Sequence, residues 1–176
     1  EADSLADQLC GEGKKHPDRI IFGSETFPQD LPKNWERVKK YPYLIGDFMW
    51  TAWDYIGEAG GGAWAYTPDG KGFQKPYPWL LADMGAIDIL GNPNGEVMWA
   101  QAVWKLLETA KMAVRPLNHP GIRPAKSTWR GTNALPSWSW KDCEGNRTKV
   151  EVYFDCARVE LYLNDRLLAK GKCKDY

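Results

Sequence analysis

The sequence predicts an α/β fold over roughly its first two thirds and antiparallel β-structure at its end. Three observations carry this. Two short, largely apolar runs, RIIF at 19–22 and LIGDFMW at 44–50, alternate with segments of helical periodicity. Near-continuous apolar strands between helices are the mark of a parallel sheet covered by helices. The last 40 or so residues instead alternate apolar and polar positions with period two, as half-buried antiparallel strands do.

Each element has a local reason. Ala2, Leu5, Ala6 and Leu9 fall at i, i+3, i+4 and i+7, which predicts an amphipathic helix over the first ten residues, stopped by Gly11 and Gly13. The first strand follows over 19–24, ended by Gly23 and Ser24. Asp30 is placed to cap a second helix, with Pro32 in its first turn. Leu31, Trp35 and Val38 share one face of it, and Lys39 and Lys40 suit the negative end of its dipole. Tyr41-Pro42 closes it before the second strand. A long Gly-, Pro- and aromatic-rich segment runs from Thr51 to about Pro93. A third helix is expected over Gly95 to Met112, capped by Asn94. RPLNHPGIRP, 115–124, reads as a linker. Beyond Ser137, KVEVYFD and ARVELYLNDRLLAKG read as strands. Val150, Val152 and Phe154 lie on one face, as do Val159, Leu161 and Leu163, and Asn164-Asp165 marks a turn.

The strand count is too low for closure. A closed eight-stranded barrel takes about 250 residues, and this half has about 110, with two strand–helix units. It is either a small open sheet or the tail of a barrel. A sandwich needs about seven strands, and three or four are visible. Both ends read as a window on a larger protein.

Composition excludes several function classes. The 23 basic and 23 acidic residues balance, so nothing draws the chain to nucleic acid or an anionic membrane. No apolar run approaches the ~20 residues that span a bilayer, and residues 1–15 do not read as a signal peptide. The four cysteines, 10, 143, 156 and 173, form no C-x-x-C pair, and no cluster of His and carboxylates suggests a metal site. Cys156 and Cys173 are placed to pair across a hairpin, although buried free thiols are the plainer reading. Ten tryptophans exceed ordinary core needs and hint at flat platforms of the kind that stack on sugar rings.

Glu25 stands at the tip of the first strand and Trp50 at the tip of the second. In strand–helix barrels, the residues that do chemistry sit at the C-terminal ends of strands. A carboxylate there, beside an indole, suits glycoside cleavage with retention, in which one carboxylate attacks the anomeric carbon and a second protonates the leaving oxygen. A solvated loop carboxylate is the plainer alternative for Glu25.

The stretch IIFGSETFPQDLPKNWERVKKYPYLIGDFMWTAWDYIGEAG resembles the seventh and eighth strand–helix units of family 2 glycoside hydrolases, the beta-galactosidase and beta-glucuronidase group. PYPWLLADMGAIDILG and PSWSWKDCEGNRTKVEVYFDCARVELYLNDRLL are similar to that barrel's last crossover and to the β-sandwich behind it, so the likeness covers nearly the whole chain. The resemblance implies the last two units of a (β/α)8 TIM barrel over 1–115, a linker over 116–136, and part of an antiparallel immunoglobulin-like sandwich over 137–176. It implies that Glu25 is the nucleophile, that Trp50 floors the sugar subsite, and that a non-proline cis bond joins Trp50 to Thr51. Asp54, Tyr55 and Glu58 in the loop after Trp50 read as contacts to sugar hydroxyls, as groups that position Glu25, or as a solvated loop, Asp54 being the first candidate because it is nearest Trp50. The implied activity is a retaining beta-glycosidase, a beta-galactosidase being expected, acting on a beta-linked sugar.

One departure bears on activity. The family's acid/base is a Glu after an Asn, and no Asn-Glu pair occurs in this sequence. The chain alone is therefore expected to be inactive, completed by an N-terminal part of the same protein and open to oligomerisation. No cofactor is expected. Some family members hold Mg²⁺ or Na⁺, for which no ligands can be placed here. Localisation is left open. A non-catalytic carbohydrate-binding or structural module is the alternative. Trp99 and Trp104 read as core, Trp53 as a second platform or, the favoured reading, a core plug, and Trp64, Tyr66, Phe73, Tyr77 and Trp79 as loop packing or outer subsites. Trp138 and Trp140 alternate onto one face, which reads as inter-domain packing against the barrel or, second, as a carbohydrate-binding face. GGG at 60–62 reads as an elbow, and His16 and His119 lack triad partners.

Overall fold

The computed structural model describes residues 5–66 and 75–172. Among the described residues, six strands in three two-stranded sheets are laid along the chain with three α-helices and one short 3-10 turn. Phe73 and Cys173, and with Cys173 the less favoured Cys156–Cys173 pairing, lie outside the described residues.

The first helix, α1, runs over Leu5–Lys15, so Gly11 and Gly13 do not stop it. Gly13 is there for a close approach. A Cβ on it would stand 2.1 Å from the Tyr43 ring, and the Tyr43 hydroxyl donates to the Cys10 carbonyl at 3.1 Å. Tertiary contact outweighs the modest cost of glycine in a helix interior, about 1 kcal/mol each.

Strand β1 (Ile21–Thr26) and strand β2 (Leu44–Met49) pair in parallel, with α2 (Leu31–Lys40) crossing between them. β1 starts and ends two residues later than expected, which puts Glu25 inside the strand's end. Asp30 occupies the N-cap of α2, but its side chain makes no capping hydrogen bond. α1 lies against both strands and α2 against β2, and Gly23, Thr26 and Leu44 are buried there. Ile20, Phe22, Ile45 and Phe48 are exposed, and the Phe22 and Phe48 rings meet edge to face.

The helix α3 (Gly95–Val103) opens as expected. The Asn94 side chain accepts the Glu96 N–H at 3.0 Å. It ends nine residues before Met112, however. Lys105 turns to φ 58°, and residues 111–114 form strand β3 instead. The reason is a partner that is remote in sequence. β3 (Lys111–Val114) pairs antiparallel with β4 (Val150–Tyr153), from Lys111 opposite Tyr153 to Val114 opposite Val150. Ala113 and Tyr153 join Met98, Ala102 and Ala134 in the core, with Trp99 and Leu107 packed against it. Tyr153 is thus the buried residue of β4, whereas Val150 and Val152 are only half-buried. Strands β5 (Arg158–Leu163) and β6 (Arg166–Lys172) form a hairpin. Its turn is Asn164-Asp165, both at positive φ, as a tight two-residue hairpin connection requires.

Candidate active site

The parallel pairing of β1 and β2 brings their C-terminal ends side by side. Thr26 stands opposite Met49, and the Trp50 N–H donates to the Thr26 carbonyl at 2.9 Å. Glu25 and Trp50 therefore flank a single hydrogen bond at one rim. Glu25 is exposed, and among the described residues no hydrogen-bond donor reaches its carboxylate.

The strand end beneath it is fixed by Asp47. Its Oδ2 accepts from the Thr26 hydroxyl at 3.0 Å and from the Asn34 amide at 2.7 Å, tying β1, α2 and β2 together. Thr26, one residue from Glu25, is thereby held on both its main chain and its side chain.

Trp50 is 36% exposed, and the Trp50–Thr51 bond is cis, as the resemblance implied. The indole N–H donates to the Met84 sulfur at 3.2 Å. The Tyr55 ring meets Trp50 edge-on, with centroids 6.0 Å apart. The Tyr55 hydroxyl donates to Glu58. Burial first, and then this carboxylate, raise the Tyr55 phenol above its ordinary range. The indole is thus held at its N–H edge by Met84 and met by the Tyr55 ring, while it stays accessible.

Asp54 lies under this layer, 6% exposed. Its Oδ1 accepts the N–H groups of Met84 at 3.1 Å and Gly85 at 3.3 Å. Trp53, expected in the core, is 53% exposed. Its ring lies 3.5 Å from where a Cβ on Gly91 would stand, so it covers a turn. Tyr77 and Trp79 of the long segment are exposed as well, as is Trp138 beyond the linker.

A second constellation was not singled out from the sequence. Glu96, 1% exposed, accepts from Arg130 Nε at 3.2 Å. It also accepts the Gly131 N–H and, at 3.4 Å, the Thr132 N–H. Arg130 Nη1 reaches Asp83 Oδ1 at 3.2 Å. Arg130 thus ties α3 and the stretch around 130 to residue 83, next to Met84. Burial pushes the Glu96 carboxyl up to about 7, with Arg130 opposing. Burial also raises Asp83, against Arg130 and with the negative charge of Asp54. A charged residue in GEVMWAQAV, whose only other polar side chain is Gln101, is the one local signal that could have marked Glu96. Among the described residues no group of three His, Cys, Asp or Glu side chains forms a metal site.

The raised Glu96 carboxyl sets a pH dependence. From the ordinary 4.5 to about 7 the folded chain keeps a proton that the unfolded chain has released. This contribution to stability is complete below 4.5 and is lost as pH rises through 7. Its size is on the order of 2–3 kcal/mol between pH 5 and 8. Glu96→Gln flattens that slope, which thermal melts of both forms at pH 5 and pH 8 will read.

No family model matches the chain. A Formosa agariphila protein named provisionally as a beta-glucuronidase is 30% identical over 157 residues, 86% of this chain and 12% of that protein. A solved glycosyl hydrolase family 2 member from Bacteroides cellulosilyticus superposes with a TM-score of 0.77 at 30% identity, covering 98% of this chain and 22% of the other. A second solved family 2 structure, from Bacteroides cellulosilyticus DSM 14838, gives 0.67 at 25% identity, again over 98% of this chain and 20% of the other. The chain thus spans about an eighth to a fifth of the length of the proteins it matches.

Proposed function

With family 2 glycoside hydrolases as its relatives and structural neighbours along most of its length, we propose that the chain is part of a retaining beta-glycosidase in which Glu25 is the nucleophile. One observation carries the reading. An exposed carboxylate and a half-open indole stand at the adjacent C-terminal ends of two parallel strands, joined by the Trp50–Thr26 hydrogen bond. In this reading β1, α2 and β2 belong to the last two units of a (β/α)8 barrel over 1–115. Residues 116–136 connect them to the start of a β-sandwich over 137–176.

The reaction is a double displacement. Glu25, ionised, attacks the anomeric carbon as a second carboxyl group, about 5–5.5 Å away, protonates the departing oxygen. The ester on Glu25 is then hydrolysed by water, which that second group deprotonates. Trp50 supports the apolar face of the sugar. The acid/base, a Glu after an Asn that this sequence lacks, is supplied by residues outside these 176, so the isolated chain does not turn over substrate.

For the sugar we propose a beta-galactoside, with the Formosa agariphila relative's name making a glucuronide the first comparison. The test is a mechanism-based 2-fluoro glycosyl fluoride of each sugar, reacted with the complete polypeptide and followed by peptide mass mapping. A label on Glu25 supports the assignment. A label on another carboxylate, with Glu25 unmodified, overturns it. Exposed Trp138, Tyr77 and Trp79 favour a second role for the same segment, in holding carbohydrate rather than cleaving it. Galactose binding that is lost on Trp138→Ala and kept in Glu25→Gln would single that role out.

A further inference from the structure

We propose that Asp54 is a positioning residue that fixes the Trp50 indole through Met84; the inference rests on Trp50 serving as the sugar platform. Asp54 is buried, and its Oδ1 is occupied by two backbone N–H groups, those of Met84 and Gly85. The bracket is reinforced by main-chain pairing on either side. Asp54 N–H donates to the Ile87 carbonyl, Ala86 N–H to Thr51, and Ile87 N–H to Ala52, all at 2.8–2.9 Å. The segment carrying Met84 is thus fastened to the segment carrying Trp50.

Met84 then presents its sulfur to the indole N–H at 3.2 Å, with the Tyr55 oxygen, whose proton is given to Glu58, 3.6 Å away. A thioether is a weak acceptor on an unbranched, adaptable side chain. It orients an indole only when its own backbone is held still, and the Asp54 carboxylate does that. Gly85 belongs to the same device, since a Cβ there would lie 2.3 Å from the Asp54 nitrogen and 2.4 Å from the Ile87 oxygen. Asp54, Met84 and Trp50 form a relay from a buried carboxyl oxygen to an accessible ring. A platform that binds ground state and transition state alike changes KM when it tilts and leaves kcat largely alone.

The test uses the complete polypeptide with Asp54→Ala, Asp54→Asn and Met84→Leu. Turnover of a nitrophenyl beta-glycoside is followed together with the 19F spectrum of protein labelled with 5-fluorotryptophan, the residue-50 line being assigned through Trp50→Phe. Asp54→Ala and Met84→Leu each raise KM by roughly 10- to 100-fold with kcat within about 3-fold of the parent. Both move the residue-50 line. Asp54→Asn keeps an oxygen acceptor, restores most of the KM and leaves the line in place. The proposal is overturned if Asp54→Asn is as impaired as Asp54→Ala, because then the charge and not the bracket is used. It is also overturned if Asp54→Ala folds and its line does not move. Should Asp54→Ala not fold, Met84→Leu and Asp54→Asn decide alone. A protein without Glu25-dependent turnover would defeat the glycosidase reading, while the 19F line would still report on the bracket.

Discussion

Glu25→Gln in the complete polypeptide lowers turnover of a beta-glycoside by at least on the order of 10⁴-fold, the scale on which loss of an attacking group is felt. Glutamine keeps the shape of the side chain but forms no glycosyl ester. Glu25 is exposed at a strand end that Asp47, Thr26 and Asn34 already hold. The substitution therefore leaves the melting temperature within the small range usual for surface changes, about ±0.5 kcal/mol in stability. Steady-state kinetics and a thermal melt on the same preparation check both halves. Parent-like turnover would place the nucleophile elsewhere.

The second large effect is on stability. Arg130→Met removes the cation that Glu96 and Asp83 share and leaves the buried Glu96 carboxyl, beside the part-exposed Asp83, with no counter-charge. Breaking a buried pair from one side costs about 3–5 kcal/mol, because the remaining charge stays desolvated. The loss is greater at pH 8 than at pH 5, since without Arg130 the Glu96 carboxyl rises further above its present value of about 7 and is neutral in acid. Denaturant melts at the two pH values measure both the size and the sign. An equal loss at pH 5 and pH 8 would show that Arg130 acts through packing alone.

The features legible in the sequence are those written within a few residues. The apolar run before Glu25 became β1, the run before Trp50 became β2, and Asn94 caps its helix. The Asn164-Asp165 turn closes its hairpin. What escaped depends on partners far along the chain. Gly13 looked like a stop because the Tyr43 ring that wants it bare lies 30 positions on. Residues 111–114 continued a helical pattern until β4, nearly 40 residues away, claimed them as a strand. Arg130 carries no periodic signal at all, since its partners are 34 and 47 residues distant. The same holds for Met84, 34 positions from the indole it steadies. Glu25 and Trp50 were legible as a pair because parallel strands place their tips together whatever lies between.

The pairing of β3 with β4 reaches across the proline-punctuated stretch at 116–124, and so does the Arg130 grip on Glu96 and Asp83. A protease nick there would cut the covalent thread without freeing either piece. The two halves would elute together from a sizing column and part only in denaturant, so this segment offers a place where the polypeptide can be opened, tagged or rejoined while the assembly around it persists.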